Sequence, residues 1–362
     1  MLYTTIAIPK MSYAADVWYT PPHLPNANAK RRTGAIKLTQ KLISEQRKAM
    51  ITTLGAMRTT AGDVLNTHAA LPPPHILFLK VLTRASTRLV TIQANQPLFK
   101  PVQQAVSRRV KYHPSPLHIL FATTTVKPNS YKTILIARRR CNYKLLANIF
   151  IEENRDKAIE QAEQISGTAI YTDGSGFEHK IGAAAVLTKN SFVTRTVKYH
   201  LGEEEIHTVY EAEALAVVLG IQALHNTNKL YHHVTIGMDN QAVLMALRSQ
   251  KLRPGHHILD RIHDALEDFQ VLQARKRGLQ INGYRMGKGR TKLEDGSTGW
   301  KEWKLKQWCR IDLVWTPGHE GIKGNELADG AAKLTAKGET SDKVKLPYFL
   351  RRKQLPISIS VT

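Results

Sequence analysis

Four carboxylates and one histidine in the second half of the chain have the types and placing that phosphodiester chemistry needs. Asp173 follows the apolar run TAIYT and precedes Gly174, Ser175 and Gly176, and Asp239 follows VTIGM. Glu213 lies inside the apolar stretch TVYEAEALAVVLG, Asp329 in GNELAD, and His319 in the glycine-bearing run TPGHEG. Crowded carboxylates repel one another and take up protons unless a divalent cation neutralises them, and oxygen-ligated Mg²⁺ requires such a set. Two such ions about 4 Å apart can activate a water and stabilise the leaving oxygen of a phosphodiester. The acids therefore point to a metal nuclease. A histidine on a mobile loop suits delivery of a proton to the leaving group or assistance to product departure. None of the other histidines, among them His232, His233, His256 and His257, has zinc-ligand spacing.

For these groups to meet, a sheet and a crossover helix must bring them together. Residues 168–173, 181–189 and 192–201 read as three successive strands, with turns at 174–176 and at Asn190-Ser191. Thr208 to His225 reads as an apolar helix, and Val234 to Met238 as a strand ending in Asp239. Short and amphipathic helices over 241–248 and 258–272 follow, then a last strand over 311–316 and a final helix with Asn325 as its N-cap. A right-handed crossover would make the strands ending in Asp173 and Asp239 parallel neighbours. At about 100° per residue Glu211 and Glu213 diverge by roughly 200°. Glu213 falls in the apolar stripe and Glu211 is expected to face water. An N-cap at Asn325 would put Asp329 in the first turns of its helix, where the helix dipole favours the ionised form. The pattern predicts an α/β fold, a mixed five-stranded sheet flanked by helices.

Charge separates the chain into two parts. The 362 residues carry a formal net charge of +23, of which +19 lies in residues 1–150 and +4 in 151–362. A basic region with only Asp16, Glu45 and Asp63 as acids suits a polyanionic partner. Residues 1–110 read as a basic, mainly helical region, with helices over 36–54, 64–70 and 75–90. In the first of these Ile36, Leu42, Ile43, Met50 and Leu54 are expected to form the apolar face. Residues 111–165 read as a linker with a short helix over 152–165, residues 166–338 as the catalytic domain with a basic insertion at 275–310, and residues 339–362 as a tail. The insertion combines 11 Lys+Arg with Tyr284, Trp300, Trp303 and Trp308, a composition suited to a phosphate groove with stacking platforms. Two cysteines, Cys141 and Cys309, allow no disulfide framework. With neither a signal peptide nor an apolar run of membrane-spanning length, the chain is expected to be soluble and intracellular, nuclear or cytoplasmic, with no membrane partner.

TDGS at 172–175, the Glu213 helix, MDNQ at 238–241, PGHEG at 317–321 and GNELAD at 324–329 together resemble the motifs of the type 1 ribonuclease H family. The resemblance covers residues 166–338. It implies Asp173, Glu213, Asp239 and Asp329 as ligands of two Mg²⁺ ions, for which Mn²⁺ could substitute, and His319 as the loop histidine. It also implies Ser175, Asn240 and Gln241 as substrate contacts. The substrate would be an RNA–DNA hybrid whose RNA strand is cut to 3′-hydroxyl and 5′-phosphate ends, recognised through 2′-hydroxyls in the minor groove. Where bacterial members carry an Asn pair before the catalytic Glu, this chain has Val209 and Tyr210, and its basic insertion follows the central helices. The segments IPKMSYAADVWYTP, KRRTGAIKLTQKLISEQRKAM and RTTAGDVLNTHAALPP resemble the region after the polymerase of fungal non-LTR retrotransposons. They imply a truncated retroelement protein, or a host gene derived from one, with the polymerase gone, while the charge of the basic N-terminal region is what points to contacts with other nucleic acid. The YAAD run lacks the second aspartate of a polymerase hairpin, so polymerase activity is not expected.

Overall fold

The computed structural model describes residues 2–24, 30–108, 110, 113–124, 126–127, 130–132, 145–227, 229–249, 255–279, 291–292, 298–299, 307–352 and 354–357. Most of the basic insertion at 275–310 and the cluster Arg138–Arg140 lie outside the described residues. The chain forms two compact units, Met1–Ile134 and Leu135–Val361.

The first unit is helical. After a π-helical turn, Tyr3–Ala7, come α1 (Ile8–Ser12), α2 (Ala15–Trp18), α3 (Ile36–Leu54), α4 (Gly62–His68), α5 (Pro74–Val90), α6 (Phe99–Ser107) and α7 (Pro116–Thr123). The expected apolar face of α3 is only partly the buried one: Met50 is buried and Leu42 packs against the core, but Ile43 and Leu54 are 42% and 40% exposed, and Thr39 and Gln46 face inward instead. Gln46 accepts from Tyr3 Oη at 3.3 Å and donates to Asn66 Oδ1 at 3.1 Å and to Pro72 O at 3.0 Å. Hydrogen bonding to three segments thus turns a polar residue inward. Helix α7 forms within the expected linker, where Phe121 packs with Val102 and Ala105 of α6.

The second unit is a layered α/β structure. Its elements are β1 (Asn148–Phe150), α8 (Arg155–Glu163), β2 (Thr168–Phe177), β3 (Lys180–Lys189), β4 (Phe192–Glu203), α9 (Val209–His225), β5 (His233–Met238), α10 (Gln241–Leu247) and α11 (His256–Lys276). A two-residue pair, β6 (Thr291–Lys292) and β7 (Thr298–Gly299), precedes β8 (Arg310–Trp315), α12 (Lys323–Ala336) and α13 (Tyr348–Arg352). Among the described residues the main sheet has six strands in the order β1-β8-β5-β2-β3-β4. β2, β3 and β4 are antiparallel, whereas β2, β5, β8 and β1 run parallel. The sixth strand comes from the segment expected to be a linker; β1 pairs with β8, and Asn148 Nδ2 donates to Asp312 Oδ1 at 2.7 Å. No helix among the described residues is long and apolar enough to cross a membrane.

Three local expectations are corrected. β2 does not turn at 174–176 but continues to Phe177, and the chain reverses at Glu178 and His179, whose φ values are +47° and +61°. Asp173 is therefore an interior strand residue, paired with Ala184. Glu211 does not face water; it is 1% exposed. As the third residue of α9 it closes a capping box with Thr208, its carboxylate also lying 3.4 Å from His207 Nδ1, and so folds back onto the helix start. Asn325 is not an N-cap, because Ile322 holds that position and Asn325 is the third residue of α12. Asp329 accordingly lies beyond the first turn, where the helix dipole has largely faded.

Candidate active site

The strand period of two sends Asp173 and Tyr171 to one face of β2 and Gly174 to the other. Tyr171 packs with Ala328, Ala331 and Ala332 of α12. On the opposite face a Cβ at Gly174 would stand 2.4 Å from Glu213 N and 2.7 Å from Ala212 C, so only glycine lets α9 approach this closely. Asp239 follows β5 one step past the Thr172–Met238 pair, beside Asp173. Its backbone carbonyl accepts from Trp315 Nε1 at 3.0 Å. Strand pairing, the glycine contact and the indole together fix three carboxyl groups.

One carboxylate oxygen from each of Asp173, Glu213 and Asp239 lies within 4.8 Å of the other two. Asp173 is 6% and Glu213 7% exposed. Burial, reinforced by Asp239 and Asp329, pushes the Asp173 carboxyl up to about 7. Burial, reinforced by Asp239 and Asp173, pushes Glu213 to about 10. Asp239 is also raised, first by burial, while the nearby His319 and its own backbone draw it down. Glu213 Oε2 and Asp239 Oδ1 are buried without a hydrogen-bond partner. Buried, mutually repelling carboxylates with orphaned oxygens fit a hard divalent cation, which would supply the missing contacts and favour ionisation.

Asp329 lies outside this close triad. It influences Asp173 electrostatically, but its Oδ2 accepts from Lys333 Nζ at 2.7 Å and its side chain is 28% exposed. His319 sits on the exposed loop after β8 with φ +59°, near enough to Asp239 to affect its charge. Ser175 is half-buried on the Asp173 side of β2, and Gln241 is half-buried at the start of α10. Asn240 has a structural task, its Oδ1 accepting from Val243 N at 3.2 Å to cap α10. Gly174 as a close-packing residue, Trp315 and Lys333 were not expected from the sequence. The Asp329–Lys333 spacing of four within a helix was the available signal for the last.

The sequence matches the RNase H family over residues 166–337. No curated protein matches it at the sequence level. Among solved structures, RNase H1 from the halophilic archaeon Halobacterium salinarum is similar at 14% identity, with 48% of this chain and 100% of that one covered and a TM-score of 0.31. The N-terminal RNase H domain of a Mycobacterium tuberculosis protein is 17% identical, with coverages of 48% and 98% and a TM-score of 0.30. LC11-RNase H1, solved with an RNA/DNA hybrid, is 14% identical, with coverages of 46% and 97% and a TM-score of 0.29. Residues 166–337 of this chain are thus similar to RNase H family domains.

Proposed function

We propose that the protein hydrolyses the RNA strand of RNA–DNA hybrids by a two-metal-ion mechanism, leaving 3′-hydroxyl and 5′-phosphate ends. The observation that carries this reading is the triad of buried Asp173 and Glu213 with half-buried Asp239, with orphaned carboxylate oxygens, within the residues that match the RNase H family. The triad would hold Mg²⁺, or Mn²⁺ in its place, with Asp329 completing the set from α12. When bound, the ions supply an activated water and stabilise the developing charge on the leaving oxygen. The chain's own residues prepare the site: Gly174 admits Glu213, and Trp315 holds the Asp239 backbone. His319, exposed beside Asp239, would hand a proton to the leaving 3′-oxygen.

Ser175 would contact the hybrid and Gln241 would lie near its minor groove, while Asn240 would contact it only with the side-chain atoms its capping bond leaves over. The net charge of +19 over residues 1–150 supports additional, salt-sensitive nucleic-acid contacts there. The resemblance of that region to post-polymerase segments supports a retroelement lineage. The test is one assay of labelled RNA–DNA hybrid, duplex DNA and duplex RNA with Mg²⁺ or Mn²⁺. Cutting of the hybrid's RNA strand is expected; binding of all three without turnover would identify a catalytically silent nucleic-acid-binding protein.

A further inference from the structure

Residues 148–163 precede the RNase H family match, yet they reach the loop that carries His319. β1 is paired to β8, and Ala158 and Ala162 of α8 are buried. Asn154 caps α8, its Oδ1 accepting from Asp156 N at 2.8 Å. The first residue of that helix, Arg155, donates from Nε to Glu320 Oε1 at 2.6 Å and from Nη2 to Gly318 O at 3.2 Å. Its planar guanidinium thus brackets His319 from both sides in sequence.

Gly318 is also where the loop meets the acidic triad. A Cβ there would lie 3.1 Å from Asp239 Oδ2, so its backbone rests against that carboxylate. His319 holds φ +59°, a left-handed conformation that a non-glycine residue keeps only when its surroundings impose it. The Arg155 and Glu320 side chains are 58% and 31% exposed. An ion pair this open adds little to global stability, so its effect should fall on the loop.

Building on the ribonuclease reading, we propose that Arg155 is a positioning residue. It clamps the 317–321 loop through Gly318 and Glu320 and thereby holds His319 against the Asp239 side of the site. The segment 148–163 would then be a working part of the catalytic unit rather than a linker.

The test uses the full chain carrying Arg155→Ala, Arg155→Lys, His319→Ala and the Arg155→Ala/His319→Ala pair. Arg155→Ala should lower kcat about ten-fold while KM for hybrid stays within about two-fold, as expected when a reacting group is misplaced. Its melting temperature should stay within about 2 °C, and amide exchange over 317–321 should quicken. Arg155→Lys should recover part of kcat, because an ammonium can meet Glu320 but cannot fork to Gly318. The double variant should be no slower than His319→Ala, because Arg155 acts through the histidine. Unchanged loop exchange in Arg155→Ala would overturn the proposal, as would losses that multiply in the double variant or a kcat loss accompanied by general destabilisation. A wild-type chain that cuts nothing would defeat the ribonuclease reading instead, and the exchange measurement would still decide whether Arg155 clamps the loop.

Discussion

Replacing Asp173 by Asn should make the metal-free protein more stable while removing its catalytic use. Burial and the neighbouring acids raise the Asp173 carboxyl from 3.8 to about 7 in the folded chain. Between those values the folded state holds a proton that the unfolded state has released. Stability is therefore complete below the unfolded value and is lost as pH rises toward 7. The displacement corresponds to about 4 kcal/mol at most. Asn still needs hydrogen bonds in the same place, so a net gain of about 2–3 kcal/mol at pH 8 is expected. In a unit of this size that is roughly 5–10 °C in melting temperature. Calorimetry in EDTA at pH 8 and pH 5 reads the effect directly. At pH 8 the variant should melt above wild type, whereas at pH 5, where only about 1.6 kcal/mol of the displacement remains and the hydrogen bonds that Asn needs offset it, the two should nearly coincide. Added Mg²⁺ should stabilise wild type at pH 8 by mass action and leave the variant almost unmoved. A variant that melts at or below wild type at pH 8, or gains as much from Mg²⁺, would refute the reasoning.

Further outcomes test the parts separately. Gly174→Ala should cost about 3 kcal/mol or more in urea unfolding and abolish cleavage, because its Cβ would lie 2.4 Å from the α9 backbone. Glu211→Gln should weaken the helix cap by about 1 kcal/mol yet leave turnover within about three-fold, while Glu213→Gln should abolish it; equal losses would mean that the wrong glutamate is assigned. Asp329→Asn, which breaks a half-exposed pair with Lys333, should change stability by less than about 1 kcal/mol and show its effect in turnover and Mg²⁺ requirement. Neutralising Lys30, Arg31 and Arg32 together should flatten the salt dependence of hybrid binding, by about 0.9 in log–log slope for each phosphate that these side chains no longer neutralise.

The strands and main helices of the second unit were legible because their apolar runs are long and their periods clear, as in IGAAAVLTK and the α9 stretch. Asp173 was harder. A buried carboxylate inside a strand is costly alone, so the sequence favoured a strand end, and only the neighbouring acids make the interior position intelligible as a cation site. Helical angle alone sends Glu211 to water because it ignores the capping box begun by Thr208. Asn325 has the side chain of a cap, but the helix starts earlier and Asn325 Oδ1 is buried. β1 is only three residues long and shows no alternation; it exists through pairing with β8, which local sequence cannot express. The inward face of α3 was hidden for a similar reason, since Gln46 is buried by partners distant in sequence.

The most direct measurement is cleavage of an RNA–DNA hybrid labelled on its RNA strand, with Mg²⁺, by wild type and by Asp239→Asn, alongside the hybrid affinity of both. The account predicts RNA-strand products with 3′-hydroxyl and 5′-phosphate ends from wild type, none from the variant, and similar binding by the two. Variant cutting at the wild-type rate, or loss of binding together with cutting, would contradict a metal-holding role for the triad.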